Sequence, residues 1–469
     1  MKKTAFTIAS VLAAAAFAPE ASAIPAFARQ TGMACMACHQ QHFPVLNSFG
    51  QSFKSSGYTL MGAQGKIEGE HLSLPDTLNA AVLFKGRYQK TNGKDAAGAA
   101  GAGNGTTANS GQWQFGDEFS LFFGGRVSEN TGFLLEGNLN GSTGAGTVAT
   151  PAGTALVAGI KIPFIYDIGA FKVGVIPFST DALGAPYGFE LSSTGAVRNV
   201  RWAEHRTDAA AQQYINTGGG GQYAGQASGF AFIAKHDLGY INVSRWTPNH
   251  MVGANGQANA STGFSATYMR LAATPSVGDW MINTGVQLWG GQAELLNGVF
   301  NAGSANVDTK ARAVDFQAHG AVSEMPIGIY ATWAKAPGSA LGATCAPVAP
   351  AVTVVATAGC NLFNAGPVDR KAWTIGADLS VIPNKAHIGA VIRRANTGLN
   401  IGAAAGTNES DNSVTLMAVY DVAQNIALHL NHSKRSGDAY NVGGSAGPAV
   451  AGGAWAGDSL TTFLLEMAW

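Results

Sequence analysis

From about residue 73 onward the chain is written in short runs of alternating apolar and polar residues. In Thr77–Gln89 one parity carries Leu78, Ala80, Val82, Phe84 and Tyr88. The other carries Thr77, Asn79, Lys85, Arg87 and Gln89, with Leu83 as its apolar exception. Val314, Phe316 and Ala318 alternate with Asp315, Gln317 and His319, and Ile426, Leu428 and Leu430 with Asn425, Ala427, His429 and Asn431. A period of two residues makes a strand with one apolar and one polar face. In a bilayer such strands survive only in a closed barrel, where every backbone N–H and C=O finds a partner strand.

The connections sharpen this expectation. Short ones fall near Ser128–Asn130, Tyr166–Gly169, His236–Gly239, Pro275–Asp279, Ser323–Pro326, Pro383–Lys385 and Asp421–Gln424. Long Gly/Ala/Asn-rich ones fall near 91–111, 141–154, 178–229, 248–262, 290–311, 336–370, 395–413 and 435–458. Seven short turns interleaved with eight long loops require about 16 strands, unless 178–229 holds a further hairpin. Even strand number, brief turns at one end and long loops at the other form the design of bacterial outer-membrane barrels. A barrel of that size is expected to enclose an aqueous channel rather than a filled core.

Composition agrees. The chain has 62 glycines, zero formal net charge and 12% charged residues, about half the share usual in soluble domains. That balance excludes a basic nucleic-acid binder. Phe463, Leu465, Met467 and Trp469 share one parity up to the last residue. A terminal aromatic on an alternating strand resembles the recognition signal of outer-membrane barrel proteins.

The N-terminal part follows other rules. Residues 1–23 read as a secretory signal: Lys2 and Lys3, an apolar stretch from Ala5 to Ala18, and Ala21-Ser22-Ala23 as cleavage site. Residues 24–72 form a segment of about 50 residues, too short for a stable core without a staple. It contains Cys35-Met36-Ala37-Cys38-His39, the C-x-x-C-H pattern of c-type haem attachment. Cys35 and Cys38 are expected to form thioethers with one covalently bound haem c, and His39 to be the proximal iron ligand. No second such motif occurs, so one haem is expected.

After the motif, Pro44 suits the first turn of a helix. Leu46, Phe49 and Phe53 then make an apolar stripe for a haem face, and Lys54 and Gly57 mark the helix end. His42 is too near His39 to reach the opposite face of the iron, and Met33 and Met36 flank the motif closely. Met61 and His71 have enough intervening chain to fold over as the distal ligand; Met61 would raise the potential relative to a second histidine. Cys345 and Cys360 lie in one loop-like stretch and, after export, are expected to form a disulfide.

The run Pro25-Ala26-Phe27-Ala28-Arg29-Gln30-Thr31-Gly32, the motif, Phe43-Pro44, Leu46, Phe49-Gly50, Phe53-Lys54 and Gly57-Tyr58 resembles the fused monohaem cytochrome–porins of iron-oxidising bacteria. Leu72-Ser73-Leu74-Pro75 and Arg87-Tyr88-Gln89-Lys90-Thr91-Asn92-Gly93 resemble them too, whereas Gln51 stands where that family often has a basic residue. The resemblance covers roughly residues 25–93; the barrel 73–469 matches in architecture only. It implies an outer-membrane Fe(II) oxidase: extracellular iron gives an electron to the haem, and a periplasmic soluble cytochrome or similar carrier removes it.

The N-terminal segment, entering from the short-turn side, is then expected to fold inside or beneath the pore. Lumen histidines His319 and His429 are expected to be polar lining, and Asp308, Glu409 and Asp411 weak attractors of Fe(II). No nucleophile–base set or nucleotide-binding glycine loop competes. Two alternatives stand beside this reading: a diffusion porin with a structural or sensory haem, and an outer-membrane cytochrome with another donor or reversed electron flow.

Overall fold

Sixteen antiparallel strands pair in sequence order and close when the last meets the first. The computed structural model describes residues 26–41, 44–62, 64–70, 72–92, 111–139, 157–181, 183–196, 211–218, 225–248, 250, 263–296, 304–340, 347–348, 353–354, 359–364, 366–400, 408–437 and 458–469. The strands are β1 (Ala80–Thr91), β2 (Gln112–Arg126), β3 (Gly132–Asn138), β4 (Val157–Lys161 with Phe164–Ile168) and β5 (Phe171–Thr180). Next come β6 (Ala227–His236), β7 (Gly239–Thr247), β8 (Ala266–Ala273 with Ser276–Val277), β9 (Trp280–Gly290) and β10 (Ala311–Val322). The wall is completed by β11 (Met325–Ala336), β12 (Arg370–Ile382), β13 (Ala386–Asn400), β14 (Asn408–Ser410 with Asn412–Ala423), β15 (Ile426–Ser436) and β16 (Ser459–Ala468). β4 and β8 are each interrupted at a proline, Pro163 and Pro275, which lacks the N–H a ladder needs.

Each of the seven expected short turns is present, and the strand ends joined by the eight longer connections lie at the opposite end. The described part of 178–229 adds no barrel strand. It folds as a 3-10 turn (Ala185–Gly188) and two helical pieces (Ser193–Ala196, Ala211–Gly218). The C-terminal strand has no free edge: Phe463 faces Tyr88 and Met467 faces Phe84 in register, and Trp469 exchanges backbone bonds with Val82 at 2.7 and 2.9 Å.

Side-chain placement follows the parity of the sequence. On β10, Val314 and Phe316 face outward, while Asp315, Gln317 and His319 are buried. On β15, Leu430 is outward and His429 and Asn431 are inward. Leu271, Ile375, Leu416 and Leu430 each leave more than half their surface exposed, part of an apolar outer band no soluble protein would carry. A strand of 12 residues such as β10 is ~40 Å long at about 3.4 Å per residue; tilted by about 40° it projects ~30 Å, enough for an apolar band of about 25 Å. The architecture is mainly β, a membrane-spanning barrel of the outer-membrane type.

Part of the lumen is filled by the chain itself. Inward polar residues such as Asn242, Arg270, Gln287, Gln317 and Thr374 have no exposed surface. The covering comes from the long connection after β5. Glu190 lies 2.6 Å from Arg270, which also pairs with Asp315 at 2.5 Å, and Tyr240 donates to Glu190. Ser193 N donates to Gln317 (3.0 Å) and Ala211 N to Thr332 (2.7 Å). Tyr214 lies beneath the guanidinium groups of Arg370 and Arg393, at 4.3 and 5.0 Å from its ring. An ion pair buried like that of Arg270 is tolerable only with its hydrogen bonds complete, so the inserted chain and wall fix each other.

Candidate haem site at the barrel mouth

Three short helices, α1 (Ala26–Thr31), α2 (Cys35–Cys38) and α3 (Ser48–Ser55), carry the N-terminal motif. They are followed by a hairpin pairing Lys66–Gly69 with Leu72–Pro75, so the expected boundary after residue 72 falls within that hairpin. α2 is one turn, closed by His39 N donating to Cys35 O at 2.9 Å. Cys35 and Cys38, three residues apart, share one face of that turn, and neither is in a disulfide. His39 leaves the turn in extended conformation and bridges to Leu46.

Asn47 organises the turn. Its side-chain oxygen accepts from Gly50 N at 3.0 Å, capping α3, while its amide donates to Ala37 O at 3.1 Å and Met36 O at 3.2 Å. The helix therefore starts at Ser48, not at Pro44, because the cap is Asn47; Pro44 lies in the preceding turn. Gly50 packs directly on the motif: a Cβ there would sit 2.1 Å from Cys38 O. At the other end Gly57 N bonds Lys54 O and Tyr58 N bonds Phe53 O, with Gly57 at φ 76°, the expected glycine-terminated end.

Beside the motif lies a cavity of about 330 Å3, lined by Cys35, Cys38 and His39. Phe27, Met33, Leu46, Phe53 and Tyr58 line it from the segment, and Ala81, Leu83, Phe122 and Leu134 from the barrel wall. Leu83, the apolar exception on the inward parity of β1, thus has a reason. Phe27 stacks on Tyr58 at 4.8 Å and meets Phe53 edge-on at 5.1 Å, making one apolar wall. Of the expected stripe, Leu46 and Phe53 line the cavity and Phe49 does not, because α3 begins only after Leu46.

Of the two residues thought of as distal ligands, the structure places one. Met61 is absent from the cavity lining, while Gln30 fastens the adjoining chain to α1 by donating to Tyr58 O and Leu60 O at 2.7 Å each. His71 lies outside the described residues, as does His42. Met33 does line the cavity, although closeness to the motif counted against it. Cys360 is buried and disulfide-bonded; its expected partner Cys345 lies outside the described residues.

The segment is held inside the short-turn end of the barrel. Arg126, the last residue of β2, donates to Ser73 Oγ at 2.8 Å, Thr59 O at 3.2 Å and Ser73 O at 3.4 Å, and its own N–H bonds Gln30 at 3.0 Å. Arg29 donates to Ala80 O and Gln41 to Pro326 O (3.1 Å), both near the rim. Gly132 lets β3 approach the segment: a Cβ there would lie 2.0 Å from Gly57 O. On the far wall Val45 packs with Tyr330, Val391, Met417, Val419 and Ala427.

Electrostatics set the cavity apart from a plain apolar void. Burial pushes the Cys38 thiol up. Burial also brings Lys54 down from 10.5 to about 8, with Glu190 partly opposing the shift. Lys161, from β4, lines the same cavity, as does Glu466. Elsewhere the acids thought of as iron attractors are engaged: Asp308 with Lys310 at 2.8 Å, and Asp411 with Arg393 at 2.9 Å and Arg435 at 3.0 Å. The side chain of Glu409 lies outside the described residues. His319 is bonded to Tyr330 at 3.1 Å, and no cluster of three metal-ligating residues occurs among the described residues.

Two thiols and an imidazole on one turn, opening onto an apolar cleft beneath aromatic rings, are the donor set and surroundings a covalent haem needs. The residues present fit that group. No protein-family model matches the chain, and no curated protein matches it in sequence. Among solved structures it is similar to OmpT of Vibrio cholerae (TM-score 0.43, 9% identity, 86% of this chain and 100% of that one). It is also similar to the channel DcaP of Acinetobacter baumannii (0.44, 12%, 84% and 97%) and to an anion-selective porin of Comamonas acidovorans (0.45, 12%, 84% and 99%).

Proposed function

We propose that this chain is an outer-membrane electron-transfer protein. Cys35 and Cys38 would hold a single haem c covalently and His39 would coordinate its iron, and the bound group would supply the one-electron couple between extracellular Fe(II) and a periplasmic carrier. The observation that carries this reading is the placement of the C-x-x-C-H turn: its cavity is walled jointly by the segment and by Ala81, Leu83, Phe122 and Leu134 of the barrel. Short turns face the periplasm in barrels of this type, so a soluble carrier would reach the haem from that end.

When bound, the haem supplies a one-electron couple whose potential depends on axial ligation, hydrogen bonding and burial. The chain's own residues set the surroundings. Asn47 and Gly50 hold the motif turn, while Phe27, Phe53 and Tyr58 exclude water from one side. Fe(III) formed at neutral pH precipitates, so oxidising iron on the loop side keeps mineral out of the periplasm. The N-terminal segment, fastened into the short-turn end through Arg126 and Gln41, obstructs free diffusion there and so weighs against the diffusion porin.

Anaerobic mixing of purified protein with Fe(II) tests the reading. Prompt reduction of the haem supports it. An unresponsive haem accompanied by solute flux in liposomes replaces it with the porin, and reduction only by another donor replaces the substrate.

A further inference from the structure

Two lysines line the haem cavity, and nothing in the attachment motif asks for them. Lys161, 5% exposed, donates to Tyr187 O at 2.7 Å with its ammonium 3.8 Å from the Tyr187 ring centre. Lys54 comes from α3, one turn beyond Gly50, and therefore about 6 Å further along the axis from the contact with Cys38. Both lysines line the same cavity, and their charges repel each other.

Like charges gathered in a low-dielectric site are costly unless an anion answers them. The nearby carboxylates do not do so directly. Glu190, which attracts both amines, is committed to Arg270 and Tyr240. Glu136 attracts Lys161 from β3 without an ion pair between them among the described residues, and Glu466 is 3.9 Å from Lys85. An apolar cleft with two amines is shaped for a flat apolar ligand bearing two carboxylates. The thiols bind the vinyl-bearing edge of a haem, which puts its two propionates at the opposite edge, away from the motif turn.

Resting on the proposed haem, we infer that Lys54 and Lys161 hold the haem propionates, so that a barrel-wall residue and a segment residue grip one cofactor. Lys161 thereby ties the haem to the wall, and the segment to the barrel through the haem. The lysines neutralise the carboxylates and, as cations beside the iron, favour its reduced state.

The test uses full-length protein carrying covalent haem, with Lys54→Gln, Lys161→Gln, the double variant, Lys54→Arg, and Lys66→Gln as an exposed control. The readouts are the propionate bending band in resonance Raman spectra and the midpoint potential by potentiometric titration. The expected result is a shifted band and a lower potential in each glutamine variant, a larger change in the double, recovery in Lys54→Arg and none in Lys66→Gln. Unchanged bands and potentials in haem-loaded variants, whose barrels still show the heat-dependent gel mobility of the folded form, overturn the inference and leave the haem reading intact. Should Lys161→Gln fail to fold, the Lys54→Gln and Lys54→Arg pair decides alone. Absence of covalent haem from the unsubstituted protein overturns the parent reading, and this inference with it.

Discussion

Replacing Arg126 by Met should loosen the N-terminal segment without dissolving the barrel. The methionine keeps most of the apolar stem but removes the donors to Ser73 Oγ, Ser73 O and Thr59 O. A hydrogen bond from a charged donor contributes about 1.5–3 kcal/mol when well formed. Only the bond to Ser73 Oγ, at 2.8 Å, has that quality; those at 3.2 and 3.4 Å add little, and the side chain is half-buried. The sum is about 2 kcal/mol, or roughly 30-fold more of the undocked form at equilibrium. Where opening is fast relative to cleavage, proteolysis tracks that population. Trypsin added from the short-turn side should therefore cut after Lys54 about 30-fold faster in the variant, read as loss of the haem-stained full-length band. Equal cleavage rates in the two proteins would refute docking through Arg126.

Three further outcomes follow from the contacts described. Gly50→Ala places a Cβ 2.1 Å from Cys38 O, and such overpacking costs about 1–3 kcal/mol; the fraction of chains with covalent haem, read by mass spectrometry, should fall, and an unchanged fraction would contradict the packing. Glu190→Ala removes one of the two carboxylates paired with buried Arg270 at a cost of about 3–5 kcal/mol, and the released connection should raise single-channel conductance in planar bilayers. In haem-free Cys35→Ser/Cys38→Ser protein, Lys54 stands at about 8 folded against 10.5 unfolded, so the unfolded chain holds more protons between these values and stability should rise with pH across that window. Thermal melting of the segment reads this, and Lys54→Gln should flatten the rise.

The barrel was legible because a period of two leaves no ambiguity about facing: Asp315 in and Phe316 out is one decision repeated along every strand. Turns were legible for a similar reason, since Pro383-Asn384-Lys385 and its counterparts interrupt the alternation locally. The inward-folded connection after β5 was not. Whether 185–192 folds inward depends on Glu190 meeting Arg270, 80 positions away and itself paired with Asp315, residues that announce nothing to one another in sequence. Near the motif, the composition of α3 was read correctly but its start was not, because a proline signal competed with the stronger Asn47 cap. Leu83 carried a usable clue: an apolar residue on a polar face marks where the wall meets something apolar. Lys161 carried none, because a lumen lysine on β4 looks like any other.

Proteoliposomes with the long loops outward, a ferricytochrome and ferrozine trapped inside, and Fe(II) added outside put the account to its most direct trial. It predicts that the enclosed cytochrome is reduced while the enclosed ferrozine stays colourless, because electrons cross and iron does not. A cytochrome that stays oxidised, or one reduced only as the ferrozine colours, would contradict a barrel that passes electrons through one haem.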